Sequence, residues 1–372
     1  MVDLNQISTH LISWLSNSSI EAVVLVCFII LIHLTAGRRL PGRWRYAIWI
    51  LLMIRLVMPW APVSSVSVYN LLARDNGSSV STRHVSTEPI VYSSYDKSLF
   101  SSDPIESGSV EADRPVEEPA QSGRSVTVQW PFVLMIIWLA GAIGVFTSSL
   151  RATIRLSALV RQKRLVTDSK VLNMLEDCKD QMMLRPVVGL VESDFIRGPA
   201  IFGWIRPRLI LPAGLINTLS KKQLRHIFLH ELAHIKRHDA LWGWIMAVLQ
   251  AIHWFNPFVW LAFYRMRSDR EIACDQLVLD HIAESDVKSY GNTIVVLLQK
   301  FSKRQFLPAL AGIAEHKTQI QRRISMISHY KKETHTVTFF AFMLLCFTAW
   351  ITLTNAAPGN TNTSPVSGLT PA

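Results

Sequence analysis

Hydrophobic positions in this chain gather into long unbroken runs near both ends, with shorter periodic segments between them. Residues 20–34, 130–150 and 337–353 are almost wholly apolar, and a fourth run, 47–62, is interrupted by Arg55. A bilayer core asks for about 20 apolar residues in a helix, so the first and fourth runs need flanking Trp and Ser residues to reach across. The pattern therefore predicts four transmembrane helices. Two lie within 1–62, a third at 128–150 and a fourth at 337–354, leaving a loop at 63–127, a block at 151–336 and a short tail at 355–372. The loop is rich in Ser, Pro and acids without a sustained apolar period, which reads as a solvated tether. Arg55 reads as a charge that snorkels or sits beside a loop.

Composition supports this division. Of 372 residues, 49% are hydrophobic and 17% charged, well short of the roughly 25% charged content of a soluble domain. The net charge of +11 belongs to the 151–336 block, which holds 28 basic and 16 acidic residues. Basic residues also mark the cytoplasmic ends of spans: Arg38, Arg39, Arg43 and Arg45, then Arg151, Arg155, Arg161, Lys163 and Arg164, then Lys331 and Lys332. This places the block in the cytosol and both termini and the 63–127 loop outside. The start lacks the positive n-region of a signal peptide, since Asp3 and Glu21 are its only charges before the first run ends. Direct nucleic-acid binding is not expected, because the membrane accounts for the charge and no recognition motif is present. Cys27, Cys178, Cys274 and Cys346 lie too far apart for a zinc ribbon or a disulfide scaffold.

The chemistry concentrates in residues 219–239. Ser220 and Gln223 have the Ser-x-x-Gln spacing of a capping box, so a helix begins there. Within it, His230, Glu231 and His234 spell His-Glu-x-x-His. At about 100° per residue, His234 stands only ~40° around from His230 and one turn along, so both imidazoles reach one metal. Glu231 falls on the same side, placed to take a proton from water at the metal without ligating it. A catalytic zinc takes a third protein ligand, and Glu271 is the candidate, with Asp275 one turn later to hold a ligand histidine by its other ring nitrogen. His226 and His238 read as helix-surface residues or residues behind the ligands. Cys274 reads as a buried thiol, or as a fourth ligand if zinc only braces the fold. Tyr264 and Arg270 are candidates for stabilising an oxyanion.

Residues 240–264 contain no charge, and one straight helix over them would span about 37 Å. That would carry Glu271 across a bilayer and away from the histidines. Asn256-Pro257 breaks the run, predicting two short helices folded back at the membrane, with Trp242, Trp244, Trp254 and Trp260 suited to its interface. Upstream, residues 199–212 read as two short strands around an Arg206-Pro207 turn, whose edge is a place for an extended peptide to pair.

These residues resemble the BlaR/MecR-type membrane zinc metallopeptidases, on His-Glu-Leu-Ala-His-Ile-Lys-Arg-His-Asp at 230–239, His-Trp-Phe-Asn-Pro at 253–257 and Asp-Arg-Glu-Ile-Ala-Cys-Asp at 269–275. Gly203, Arg206-Pro207 and Leu211-Pro212 fit as well. The resemblance implies a multi-pass α-helical membrane protein with a cytosolic α+β gluzincin-like peptidase domain. It implies zinc held by His230, His234 and Glu271, Glu231 as catalytic base and Asp275 behind the ligands. It implies cleavage of the chain itself or of a transcriptional repressor; the expected partners are the lipid bilayer, that repressor or another cytosolic protein substrate, and a second copy of the chain in a homodimer. The family's sensors carry a penicillin-binding domain after the last span, whereas this sequence runs only to Ala372, so β-lactam sensing is not expected of it alone. Two other readings stand beside this one: quality-control proteolysis of membrane proteins, and a non-catalytic transducer with a structural zinc.

Overall fold

The computed structural model describes residues 4–36, 40–58, 63–64, 130–196, 198–302, 310–332 and 335–356. Nearly all of the 63–127 loop, Arg38, Arg39 and the tail beyond Ala356 lie outside the described residues.

Helices dominate. α1 (Leu4–Thr35), α2 (Gly42–Val57), α3 (Trp130–Gln162) and α11 (His335–Thr352) carry the apolar runs. Among the described residues three helices are long and apolar enough to cross a membrane: Gln6–Thr35, Trp130–Gln162 and His335–Thr352. The expected second run, 47–62, is described as far as Met58, and α2 covers about 24 Å in its 16 residues, while 59–62 lie outside the described residues. α2 is sheathed by protein, with Trp49, Leu52 and Leu56 buried against α1 and its neighbours. Arg55 does not snorkel. It is 4% exposed and its Nη2 lies 2.6 Å from Glu21 Oε2, because α1 sets a carboxylate opposite it. α3 continues past Leu150 to Gln162, 33 residues and about 50 Å in all, carrying Arg151, Arg155 and Arg161 on the same rod.

The 151–336 block is α+β. α4 (Ser169–Gln181) starts at Asp168, whose carboxylate accepts from the Lys170 amide. Besides β1 (Val63–Ser64), which pairs in parallel with Asn355–Ala356, there is a three-stranded sheet of β2 (Gly189–Ser193), β3 (Ala200–Phe202) and β4 (Arg208–Pro212) in the order β2-β4-β3, parallel in the first pair and antiparallel in the second. The expected hairpin is β3–β4; β2 is an addition that sequence alone did not mark. Gly203 turns the chain at φ 89°, where a Cβ would meet the Arg206 carbonyl at 3.0 Å. The buried β4 takes the centre and leaves β3 as an edge.

After a short helix, α5 (Leu215–Thr218), comes α6 (Lys221–Lys236), opened by the Ser220–Gln223 capping box with both of its hydrogen bonds formed. α7 (Asp239–Ile252) and α8 (Pro257–Leu279) are separated at Asn256, whose side chain accepts from the Phe258 amide. The predicted break is thus present, but α8 is not short: with no breaker after Pro257 it runs 23 residues and carries Glu271 itself. α9 (Val287–Ser302) and α10 (Leu310–Ser328) complete the domain.

Two apolar cores result. One joins Leu175, Leu209, Phe228, Leu232, Val278, Tyr290 and Ile327; the other joins Leu25, Ile29, Trp49, Leu52, Met246, Val259, Phe263 and Met266. α8 contributes to both, so the helix bearing Glu271 ties the domain to α1 and α2. Each large side chain buried in the first core is worth about 1.5–3 kcal/mol, whereas close packing rather than the hydrophobic effect holds the second where it lies in lipid. A polar anchor adds to this, since Asp269 on α8 accepts from Arg45 at 2.7 Å and from Trp49 at 2.8 Å.

Candidate metal centre

α6 presents His230 and His234 one turn apart, with ring centroids 5.1 Å apart and planes nearly perpendicular. α8 delivers Glu271 to the same point: its Oε2 lies 3.5 Å from His230 Nε2 and 3.9 Å from His234 Nε2. One ligand atom from each of the three residues falls within 4.8 Å of the others. All three, with Glu231, line a cavity of about 690 Å³.

The surroundings decide which ring nitrogens face this point. His230 Nδ1 sits 3.2 Å from Asp275 Oδ1 and 3.1 Å from the Tyr290 hydroxyl, which itself donates to Asp275 at 2.7 Å. With that hydroxyl proton committed, Nδ1 donates to Asp275 and Nε2 faces Glu271, where its lone pair is available to a metal once its proton is displaced. His234 Nδ1 lies 2.7 Å from Asp239 Oδ2, which leaves its Nε2 free in the same way. Two carboxylate-backed imidazoles and one carboxylate form the His₂Glu donor set of catalytic zinc. The residues fit the ion.

Charge reinforces the arrangement. Burial would raise the Asp275 carboxyl, but Arg323, donating at 2.7 and 2.8 Å, and His230 outweigh it and hold it well below the ordinary range. Burial likewise opposes ionisation of Glu271, and His234, His230 and Arg323 overcome it. His230 is pushed down by burial but up further by Asp275 and Glu271, to about 9. A metal therefore displaces a proton as it binds.

The structure brings together every site residue that the spacing predicted: His230, Glu231, His234 and Glu271 in the cavity, with Asp275 behind His230. It also adds three. Asp239 reaches back to His234 because His238 adopts a left-handed turn at φ 54° between α6 and α7. Tyr290 and Arg323 arrive from α9 and α10, with no spacing in the sequence to announce them. His226 is not on a helix surface. It is buried, bonded to Thr293 at 2.9 Å and edge-on to the Tyr290 ring. Cys274 is a buried thiol that burial pushes well above its ordinary pKa. Its Sγ contacts Asp239 and His234 Nδ1, each at 3.3 Å, on the opposite side of the ring from Glu271.

Fold and site together define a membrane protein of the metallopeptidase type, with an HExxH helix in a domain that α8 ties to the apolar helices α1 and α2. Residues 13–327 match the BlaR1 peptidase M56 family model. The chain belongs to that family. It is 27% identical over 195 residues to the regulatory protein BlaR1 of Bacillus licheniformis, covering 52% of this chain and 32% of the relative. Over 322 residues it is 24% identical to the methicillin resistance mecR1 protein of Staphylococcus aureus strain Mu50, covering 86% of this chain and 52% of the relative. The chain thus spans about half or less of the length of these relatives.

Proposed function

We propose that this chain is a zinc metalloendopeptidase of the cytoplasmic membrane that relays an outside signal by cytosolic cleavage of itself or of a transcriptional repressor. The observation that carries the reading is the convergence of His230, His234 and Glu271 beside Glu231 in one cavity. His230, His234 and Glu271 hold the zinc. When bound, the ion polarises the scissile carbonyl and acidifies water. Glu231 accepts a proton from the attacking water and returns it to the leaving amine. Pro199, Ala200 and Ile201, at the start of edge strand β3, line the cavity, so an extended peptide pairing with β3 runs past Glu231. Basic residues at the ends of the apolar helices that adjoin this domain support a cytosolic position for it. The position of Cys274 behind His234 counts against a zinc closed by a fourth protein ligand.

The test is a map of new protein N-termini in cells expressing the wild type or Glu231→Gln, under envelope stresses. Ends that appear only with the wild type support the reading, and a single repressor among them supports signalling over quality control. Identical maps, with both proteins shown to carry zinc, would sink it.

A further inference from the structure

Hydrolysis of a peptide needs a donor for the carbonyl oxygen as negative charge builds on it, and the two candidates named by sequence are poorly placed. The Tyr264 hydroxyl accepts from Gln319 Nε2 at 2.6 Å, and Tyr264 is not among the residues lining the cavity. Arg270 does line it, but its Nη2 lies 3.5 Å from Glu271 Oε1, not from the oxygen that faces the imidazoles.

Arg323 on α10 is placed differently. Its Nε and Nη2 donate to the two oxygens of Asp275 at 2.7 and 2.8 Å, so the guanidinium plane is locked. The remaining nitrogen, Nη1, has no hydrogen-bond partner among the described residues and lies 3.8 Å from Glu271 Oε2, the oxygen facing both histidines. Arg323 also lines the cavity, with 15% of its side chain exposed. A permanent charge is thereby held beside the point where the donor atoms converge, with a spare N–H.

Resting on the peptidase reading above, we propose that Arg323 is a catalytic residue whose Nη1 binds the scissile carbonyl oxygen as it becomes an oxyanion. The water oxygen bonds to the carbonyl carbon while Glu231 takes its proton, and the carbonyl π pair moves onto the oxygen beside Nη1. Collapse of that oxyanion re-forms the carbonyl and breaks the C–N bond, and the proton leaves Glu231 with the amine. Because the guanidinium is oriented beforehand, it need not reorganise as the charge appears, which is the condition for large transition-state stabilisation.

Arg323 also braces Asp275, so the experiment must separate catalysis from support. Full-length Arg323→Lys is purified in detergent and assayed on a peptide whose cleavage Glu231→Gln abolishes, alongside bound zinc and the Ki of a phosphinic peptide of the same sequence. The expected result is unchanged zinc content, KM within about threefold, kcat lower by about 100- to 1000-fold and a phosphinate Ki raised in parallel. Recovery of activity on adding zinc, or an unchanged phosphinate Ki, would assign Arg323 to support alone and overturn the proposal. If the substitution costs the fold, the wild type bound to the phosphinate decides by its structure. Nη1 within hydrogen-bond distance of a phosphinate oxygen supports the role, and Nη1 remote from both oxygens refutes it. Cleavage that survives Glu231→Gln would instead refute the peptidase reading itself.

Discussion

Replacing Asp275 by Asn isolates the support given to the centre from behind. The side chain is fully buried and meets four donor groups: Nε and Nη2 of Arg323, the Tyr290 hydroxyl and His230 Nδ1. Asparagine keeps the shape but removes the charge and turns an amide towards donors. Breaking a buried ion pair from one side costs about 3–5 kcal/mol. Glu271, 3.8 Å from Arg323, remains as a partial counter-charge and moves the expectation to the lower end of that range. Losing the carboxylate behind a ligand histidine weakens metal binding by about 10- to 100-fold, or roughly 1.4–2.7 kcal/mol. The assay is competition with a chromophoric zinc chelator on detergent-purified protein, with thermal unfolding measured on the same samples. Zinc affinity within threefold of the wild type, together with an unshifted unfolding midpoint, would refute the assigned role of Asp275.

Two further predictions rest on other parts of the molecule. In α3, a Cβ at Gly141 would come within 2.2 Å of the Trp254 ring, whereas Gly144 faces open space. Gly141→Ala should therefore destabilise the α3–α7 contact by about 1–3 kcal/mol, while Gly144→Ala is neutral or stabilising; equal unfolding midpoints in one detergent would contradict this. Burial lowers His226 to about 4 against an ordinary 6.5, despite nearby Asp286. The unfolded chain then takes up the proton first, so stability is lost as pH falls from about 6.5 towards 4. His226→Gln should flatten that loss in thermal unfolding of chelated protein, and parallel curves would exclude His226 as its source.

Much of this protein was legible in its sequence because the relevant signals are local. Helical periodicity places His230, Glu231 and His234 on one face, the Ser220–Gln223 spacing opens α6, and Pro257 cannot continue α7. Residues a turn apart have their relation settled by the backbone alone, which is why the spacing from Glu271 was enough to expect Asp275 beside the candidate metal centre. Sequence could not tell that Trp49, Leu52 and Leu56 of α2 pack within protein, or that Arg55 turns inward to Glu21, since both depend on what α1 sets beside them. Nor could it name Asp239, Tyr290 and Arg323. The first depends on a left-handed turn at His238, and the other two on packing α9 and α10 against α6 and α8. Chain spacing specifies which donors lie on one helix. Only the packing of helices decides which buried carboxylate meets which charge, because a charge taken out of water must find its partner wherever the fold brings one.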